Sequence, residues 1–81
     1  MRVALVTGGA TGIGAATVAA LAEAKITVAL QYSSSENEAK QISEQLNSKG
    51  LKVEIFRADL SQKDSIDKLV ASVKAKLGDI E

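Results

Sequence analysis

The sequence predicts an α/β fold, the first half of a three-layer, doubly wound parallel sheet with the order βαβαβα and the strand order 3-2-1. One observation and one rule of sheet topology predict this fold. Short runs of apolar or β-branched residues alternate with longer stretches in which apolar residues recur at helical spacing, and this alternation occurs three times within 81 residues. Strands that alternate with helices run parallel, because a helix returns over a twisted sheet by a right-handed crossover.

The first strand is the continuous apolar run Val3 to Val6, which ends at Thr7-Gly8-Gly9. An Ala-rich helix is predicted from Ile13 to Ala24, and the second strand from Ile26 to Leu30. The helix lacks the usual glycine at its end, so a residue of Glu23-Ala24-Lys25 must make the turn, at a cost of about 1 kcal/mol.

The second helix is predicted from Glu36 to Lys49, where apolar residues recur at positions i, i+3 and i+7. Ser35 and Glu38 have the spacing of a capping box, which predicts side-chain caps at the start of this helix. Gly50 supplies a residue that tolerates a left-handed cap at the end.

The third strand alternates Val53 and Ile55 with charged residues, which is typical of a strand at a sheet edge. The third helix ends at Gly78, and Ser61 with Asp64 is predicted to cap its start. Its apolar stripe consists of Ile66, Leu69, Val70, Val73 and Leu77. The final residues, 79–81, are predicted to open a fourth strand beside the first.

The composition excludes several classes of function. The sequence has no Cys, His, Pro or Trp, so it holds no Ser/His/Asp triad, cysteine nucleophile, disulfide framework or tetrahedral zinc site. Ten basic side chains balance ten acidic ones, which argues against a nucleic acid or an anionic membrane as the main partner. No segment approaches the roughly 18 consecutive apolar residues of a membrane span, and no signal peptide is recognisable, so a cytoplasmic location is expected.

The segment from Thr7 to Gly14 carries the clearest functional signal. Gly8 permits a tight turn out of the strand, Gly12 lets the backbone approach a diphosphate, and Gly14 lets the helix start pack against the sheet. The helix N-terminus would offer N–H groups to phosphates. A tight turn that binds nothing is the alternative, but the strand-loop-helix context favours a Rossmann-type dinucleotide site.

The spacing T-G-x-x-x-G-I-G resembles that of the classical short-chain dehydrogenase/reductase family (SDR), and the resemblance extends over the whole chain. Asp59-Leu60-Ser61 resembles the family's Asp-apolar-Ser/Thr step, and Leu77 to Ile80 resembles the approach to its fourth strand. Leu30 to Ser35 is similar to the second-strand loop of the 3-oxoacyl-acyl-carrier-protein reductase branch. Residues 1–81 are thereby identified as the N-terminal, dinucleotide-binding half of a single Rossmann domain.

The resemblance implies a role for each matching residue. The pyrophosphate and ribose side of the cofactor would be lined by Gly8, Thr11, Gly12, Ile13 and Gly14. Asp59 would accept a hydrogen bond from the adenine amino group, and the Leu60 backbone would meet the ring edge; otherwise Asp59 is an ordinary acid before a helix. Thr7 would be structural, its hydroxyl steadying the sheet.

Cofactor choice depends on the end of the second strand, where an acid about 20 residues past the loop holds the ribose of NAD. Gln31, Tyr32 and Ser33 occupy these positions, so no carboxylate repels a 2′-phosphate and two hydroxyls can bond one. NADP is therefore favoured over NAD, although no Arg or Lys lies in residues 31–35 and Thr11 is not basic. A polar turn with a helix cap is the alternative interpretation of the serines.

The chain contains none of the family's catalytic residues. The resemblance implies a Tyr with a Lys four residues later, but the residue four positions after Tyr32 is Glu36. The chain is therefore expected to be the opening third of an NADP(H)-dependent ketone or alcohol oxidoreductase. The family resemblance implies that the intact protein is a homo-oligomer and acts on a small carbonyl or alcohol substrate. A fragment that binds nucleotide without catalysis, or an inert βα scaffold, are the alternatives.

Overall fold

The computed structural model describes residues 2–81, which form one parallel sheet of three strands with helices on both faces. In chain order the elements are β1 (Val3–Val6), α1 (Gly12–Glu23), β2 (Thr27–Tyr32), α2 (Glu36–Ser48), β3 (Val53–Arg57) and α3 (Lys63–Leu77). The strands lie in the order β1-β2-β3, which confirms the predicted 3-2-1 arrangement. Strand β2 continues two residues beyond the predicted end at Leu30.

Strand β2 lies in the centre, and all six of its residues are buried. Alternation along the strand divides its side chains between two cores. Leu30 and Tyr32 belong to the core covered by α1 and α2, whereas Ala29 belongs to the core with Phe56 on β3 and Val73 on α3. The helices are therefore split between the two faces, as the three-layer prediction requires.

Each outer strand of the sheet has backbone groups that bond to a residue outside the sheet. On the β1 edge, the amide of Glu81 donates to the carbonyl of Val3 at 2.8 Å, which agrees with the prediction that residues 79–81 open a neighbouring strand. On the β3 edge, the side-chain amide of Asn47 donates to Val53 O at 3.1 Å and accepts from Val53 N at 3.0 Å. Asn47 thus occupies backbone groups that an edge strand otherwise leaves unpaired.

The helix ends agree with the glycine signals but not with the predicted side-chain caps. Gly50 and Gly78 have φ angles of +84° and +101°, and Lys25 has a φ of +69°, as expected for a turn made without glycine. Ser35 makes no side-chain cap bond, because its ψ of 56° departs from the extended geometry that aims a hydroxyl at the first turn. Ser61 does not cap α3 either, because Gln62 is the N-cap residue.

The apolar stripe of α3 is buried only in part. Leu69 and Val73 lie in the core, but Ile66, in the first turn of the helix, is 41% exposed. Within residues 2–81, no helix combines the length and the apolar character that crossing a bilayer requires.

Candidate functional site

The loop between β1 and α1 takes a backbone path that favours glycine at two positions. Gly8 has a φ of +61° and Gly12 a φ of +56°, both in the left-handed region that side chains with a Cβ rarely adopt. A Cβ built on Gly12 would have no atom within 4 Å, so the space over this residue is open. The lack of a side chain at Gly12 therefore leaves room above the backbone. Packing does not require glycine at this position, because no neighbouring atom would meet a Cβ.

The other two glycines of the loop are packed closely. A Cβ on Gly14 would collide with the carbonyl oxygen of Gly8, so the helix start lies against the loop and not against the sheet as predicted. A Cβ on Gly9 would lie 2.9 Å from Leu30 Cγ and 3.0 Å from Val18 Cγ2. Gly9, which the motif spacing did not single out, is the glycine that lets the loop approach the sheet.

The N-terminus of α1 is suited to an anion. The first amides of an α-helix have no intrahelical acceptor, and Thr11, the N-cap residue, makes no side-chain bond to them. The first turn contains no acidic residue, in contrast to the first turns of α2 and α3, which contain Glu36, Glu38 and Asp64. Ile13, in that first turn, is 87% exposed. The helix dipole and the open amides of α1 would thus meet an anion without a competing carboxylate from the first turn of the same helix.

Gln31 connects this loop to the rest of the sheet edge. Its side chain is only 3% exposed; Oε1 accepts from the amide of Gly8 at 2.7 Å, and Nε2 donates to the carbonyl of Ala58 at 2.8 Å. Its main-chain carbonyl accepts from the amide of Gly9 at 3.0 Å. One residue therefore bonds the loop after β1 and the segment after β3.

A small cavity brings four of the predicted site residues together. The lining of this cavity, of about 130 Å³, includes Gly8, Thr11, Tyr32 and Ser33. Tyr32 and Ser33 also line a neighbouring cavity of about 430 Å³, to which Arg57 at the end of β3 contributes. Arg57 lies opposite Tyr32 in the register of the two strands. The two cavities form a continuous polar surface along the carboxyl ends of the strands.

The segment after β3 holds its acidic residue in a defined turn. Asp59 Oδ1 accepts from the Ser61 hydroxyl at 2.7 Å and from the Ser61 amide at 3.0 Å. The hydroxyl bond, and then the amide bond, lower the pKa of Asp59 below its usual value of 3.8. Neither bond uses Oδ2, which leaves that oxygen free to accept from an external donor. Leu60 packs against the α3 core.

Comparison with known proteins decides the family. The sequence model described as short chain dehydrogenase matches residues 2–81, which is all but one residue of the chain. The chain belongs to the short-chain dehydrogenase family. The structure and the match thus confirm the resemblance seen in the glycine loop and in Asp59-Leu60-Ser61.

Three curated relatives agree in sequence over most of the chain. An uncharacterized oxidoreductase, YmfI, of Bacillus subtilis is 37% identical over 73 residues, which is 89% of this chain and 30% of that protein. The short-chain dehydrogenase/reductase homolog YusS of the same organism is 32% identical over 99% of this chain and 73% of its own length. The 3-oxoacyl-acyl-carrier-protein reductase FabG of Staphylococcus epidermidis is 30% identical over 96% of this chain and 32% of its own.

Two solved structures superpose closely on the chain. A blue fluorescent protein from a metagenomic library, in complex with NADPH, has a TM-score of 0.93 and 34% identity over 98% of this chain and 33% of that one. FolM alternative dihydrofolate reductase 1 from Brucella canis, complexed with NADP, has a TM-score of 0.90 and 33% identity over 98% of this chain and 31% of its own. The chain thus spans about a third of both solved structures.

Only some of the predicted site residues of this short-chain dehydrogenase chain line the two cavities. Asp59 and Leu60 lie at the end of β3 and do not line the two cavities. Tyr32 is 8% exposed and packs in the core while it also lines both cavities, whereas Ser33 is an exposed residue. Thr7 is exposed and takes part in none of the side-chain hydrogen bonds among residues 2–81, because it lies beyond the end of β1. The expectation that its hydroxyl steadies the sheet thus has no hydrogen bond within residues 2–81 to support it, and it stays a prediction.

Sequence reasoning missed three residues at this edge. Gly9 was hidden because a sequence does not show which glycine touches the sheet. Gln31 occupies a position that the sequence associates with the ribose, but in the structure its side-chain polar atoms bond to Gly8 and Ala58. Arg57 is one of the charged residues of the predicted edge strand. Its place directly before Ala58-Asp59, combined with parallel pairing, is the signal that it lies beside the end of β2.

Proposed function

We propose that residues 1–81 are the N-terminal, cofactor-binding half of a single Rossmann domain in an NADP(H)-dependent oxidoreductase that interconverts a ketone and an alcohol. The geometry of Gly12 carries this proposal: a positive φ and open space over the backbone, at the N-terminus of a helix whose first turn has no acidic residue. When bound, the nicotinamide supplies or accepts the hydride. None of the residues in this chain is assigned a catalytic role.

The chain's own residues would bind and orient the cofactor. The backbone at Gly8 and Gly12, with the open amides of the first turn of α1, would face the pyrophosphate, and Thr11 and the exposed Ile13 would border it. Gly14 would act indirectly, because its contact with Gly8 sets the shape of the loop. Asp59 would accept from the adenine amino group through Oδ2, with Leu60 along the ring edge.

Preference for NADP over NAD is supported by the charges near Ser33. Residues 31–33 include no carboxylate, and Arg57 lines the same cavity as Ser33. Glu36 and Glu38 also line that cavity and oppose an anion, but Glu36 is paired with Lys40 at 3.2 Å. Two similar solved structures hold NADPH and NADP. A 2′-phosphate held by the Ser33 hydroxyl and Arg57 would account for the preference.

The substrate and the assembly are proposed by similarity. Similarity to a 3-oxoacyl-acyl-carrier-protein reductase supports a 3-oxoacyl or similar ketone substrate. The family resemblance supports a homo-oligomer, and a cytoplasmic location stays a prediction.

Titration of the purified full chain with NADPH and with NADH tests the proposal. We expect saturable binding of both, with tighter binding of NADPH. Gly12→Val should abolish binding, because its side chain would fill the open space and the backbone would leave its left-handed conformation.

Gly50→Val is the matched control. Gly50 also has a positive φ and open space over its Cβ position, but it lies at the far end of α2. Both variants should lose stability, by roughly 1–3 kcal/mol, and only Gly12→Val should lose binding. No binding by the unmodified chain would favour the inert scaffold. Binding without turnover is expected of this chain under the proposal as well, so the nucleotide-binding fragment would be favoured only by a lack of turnover in the whole oxidoreductase.

A further inference from the structure

The carboxyl ends of the three strands are connected through the side chain of one buried amide. Gln31 accepts from Gly8 at 2.7 Å and donates to Ala58 at 2.8 Å, and its side chain is almost completely buried. An amide is the side-chain group that accepts with one atom and donates with another across a fixed span. Both of its polar groups are satisfied, so the bridge has a defined geometry.

The bridge joins the two segments that would contact opposite parts of a dinucleotide. Gly8 begins the loop that leads to the open space at Gly12, and Ala58 directly precedes Asp59. No other hydrogen bond among residues 2–81 joins these two segments, since the main chains of Gly9 and Ala58 bond to Gln31 and Tyr32 of β2 and not to each other. The relative placement of the two segments therefore depends on β2 and on the Gln31 side chain.

The polar atoms of the Gln31 side chain are already committed to protein partners. The residue lines the small cavity beside Gly8, but its side-chain oxygen and nitrogen bond to Gly8 and Ala58. The main-chain carbonyl of the same residue accepts from Gly9, which adds a second bond to the loop. These bonds give Gln31 an influence on cofactor affinity through the positions of the two segments.

We propose that Gln31 is a positioning residue that holds the glycine loop and the Asp59 segment at the separation that one dinucleotide spans. The proposal rests on the proposed function, because it assumes that both segments contact the same cofactor. Each segment alone needs no bridge to bind its own part of the ligand. The bridge contributes to affinity when both parts of the ligand belong to one molecule. It already holds the two segments in place, so binding has less loop ordering to provide.

Replacement of Gln31 by an apolar side chain of similar length tests the proposal. The full chain and its Gln31→Met variant are titrated with NADPH, with adenosine and with inorganic pyrophosphate at a temperature where both are folded. We expect the Kd for NADPH to rise about tenfold, as for the loss of one or two hydrogen bonds, while the Kd values for adenosine and pyrophosphate change by less than about threefold. Gln45→Met, the same change on the exposed face of α2, should leave all three Kd values unchanged.

A lower melting temperature with an unchanged Kd for NADPH would show that Gln31 is only structural. Equal losses for all three ligands would also overturn the proposal, because they would indicate general distortion of the loop. Failure of the unmodified chain to bind NADPH would overturn the proposed function itself, which separates the two claims.

A second measurement needs no variant and covers the case in which Gln31→Met does not fold. In the isotope-labelled unmodified chain, inorganic pyrophosphate alone should shift the NMR signals of the Gln31 side-chain amide and of the Asp59 main-chain amide. Adenosine alone should shift the Gln31 side-chain signal and the Gly8 amide. Shifts confined to the segment that contacts each ligand would overturn the proposal.

Discussion

The backbone of Gly9 lies against the side chain of Leu30, so that a Cβ on Gly9 would stand 2.9 Å from Leu30 Cγ. Leu30 is completely buried in the centre of β2, and Val18 of α1 closes the other side of the same contact. The position of the cofactor loop is thus set by packing of its backbone on the core.

We expect Gly9→Ala to destabilise the chain by about 1–3 kcal/mol, because the added methyl group overpacks a site whose neighbours cannot all move away. The free energy of unfolding from urea denaturation measures this. Gly12→Ala is the comparison within the same loop: its methyl group meets open space, so it should cost only the strain of a positive φ, about 1–2 kcal/mol. Equal stability of Gly9→Ala and the unmodified chain would contradict the packing described for Gly9.

Asp59 should titrate below its usual pKa because of its two bonds from Ser61. Ser61→Ala removes the hydroxyl donor, and we expect the pKa of Asp59 to move up toward 3.8. Carbon-detected NMR of the Asp59 carboxyl group measures this change. Ser72→Ala, on the exposed face of α3, should not move it.

The same shift fixes the pH range in which Asp59 affects stability. A carboxyl group whose pKa is lowered by folding stabilises the folded state above its unfolded pKa. This contribution is lost as the pH falls below 3.8 and through the lowered pKa of the folded state. Above about pH 5 the free energy of unfolding should change with pH at the same rate in the unmodified chain and in Asp59→Asn. A difference in slope between them near neutral pH would contradict the lowered pKa.

Arg57 should contribute to the choice between cofactors. We expect Arg57→Gln to weaken binding of NADPH about two- to fivefold relative to NADH, which is the range for an exposed charge interaction. Added salt should reduce the preference of the unmodified chain in the same direction. Lys52→Gln removes an equally exposed positive charge beside the opposite end of β3 and should leave the ratio of the two Kd values unchanged.

Lys25 makes the turn after α1 with a φ of +69°. We expect Lys25→Gly to raise the free energy of unfolding by about 0.5–1 kcal/mol, because glycine adopts this conformation without strain. Lys49, at the corresponding end of α2, has a φ of −89°, so Lys49→Gly should instead lower stability by about 0.5–1 kcal/mol. Chemical denaturation measures the free energy of unfolding of both variants. A change of the same sign in both would contradict the strain attributed to the positive φ of Lys25.

Hydrophobic periodicity predicted the type and order of every element, since burial on one or both faces of a sheet imposes that pattern directly. The caps were predicted less well. Ser35 and Ser61 occur at positions that allow capping, but the hydroxyl's partner depends on a local backbone angle for Ser35 and on competition from Asp59 for Ser61. Such choices between nearby partners of similar energy are not encoded in residue spacing.

By itself the sequence determined the parallel βαβαβα order, the glycine loop at the start of the first helix, and the family. These depend on local features: the period of apolar residues and the absence of a Cβ where the backbone needs a left-handed turn. Only the tertiary structure decided that Gly9 contacts Leu30, that Arg57 lies beside Tyr32, and that Gln31 bonds both Gly8 and Ala58. The physical reason is that these contacts join residues far apart in the chain, and their geometry exists only after strand pairing has aligned the carboxyl ends of the strands.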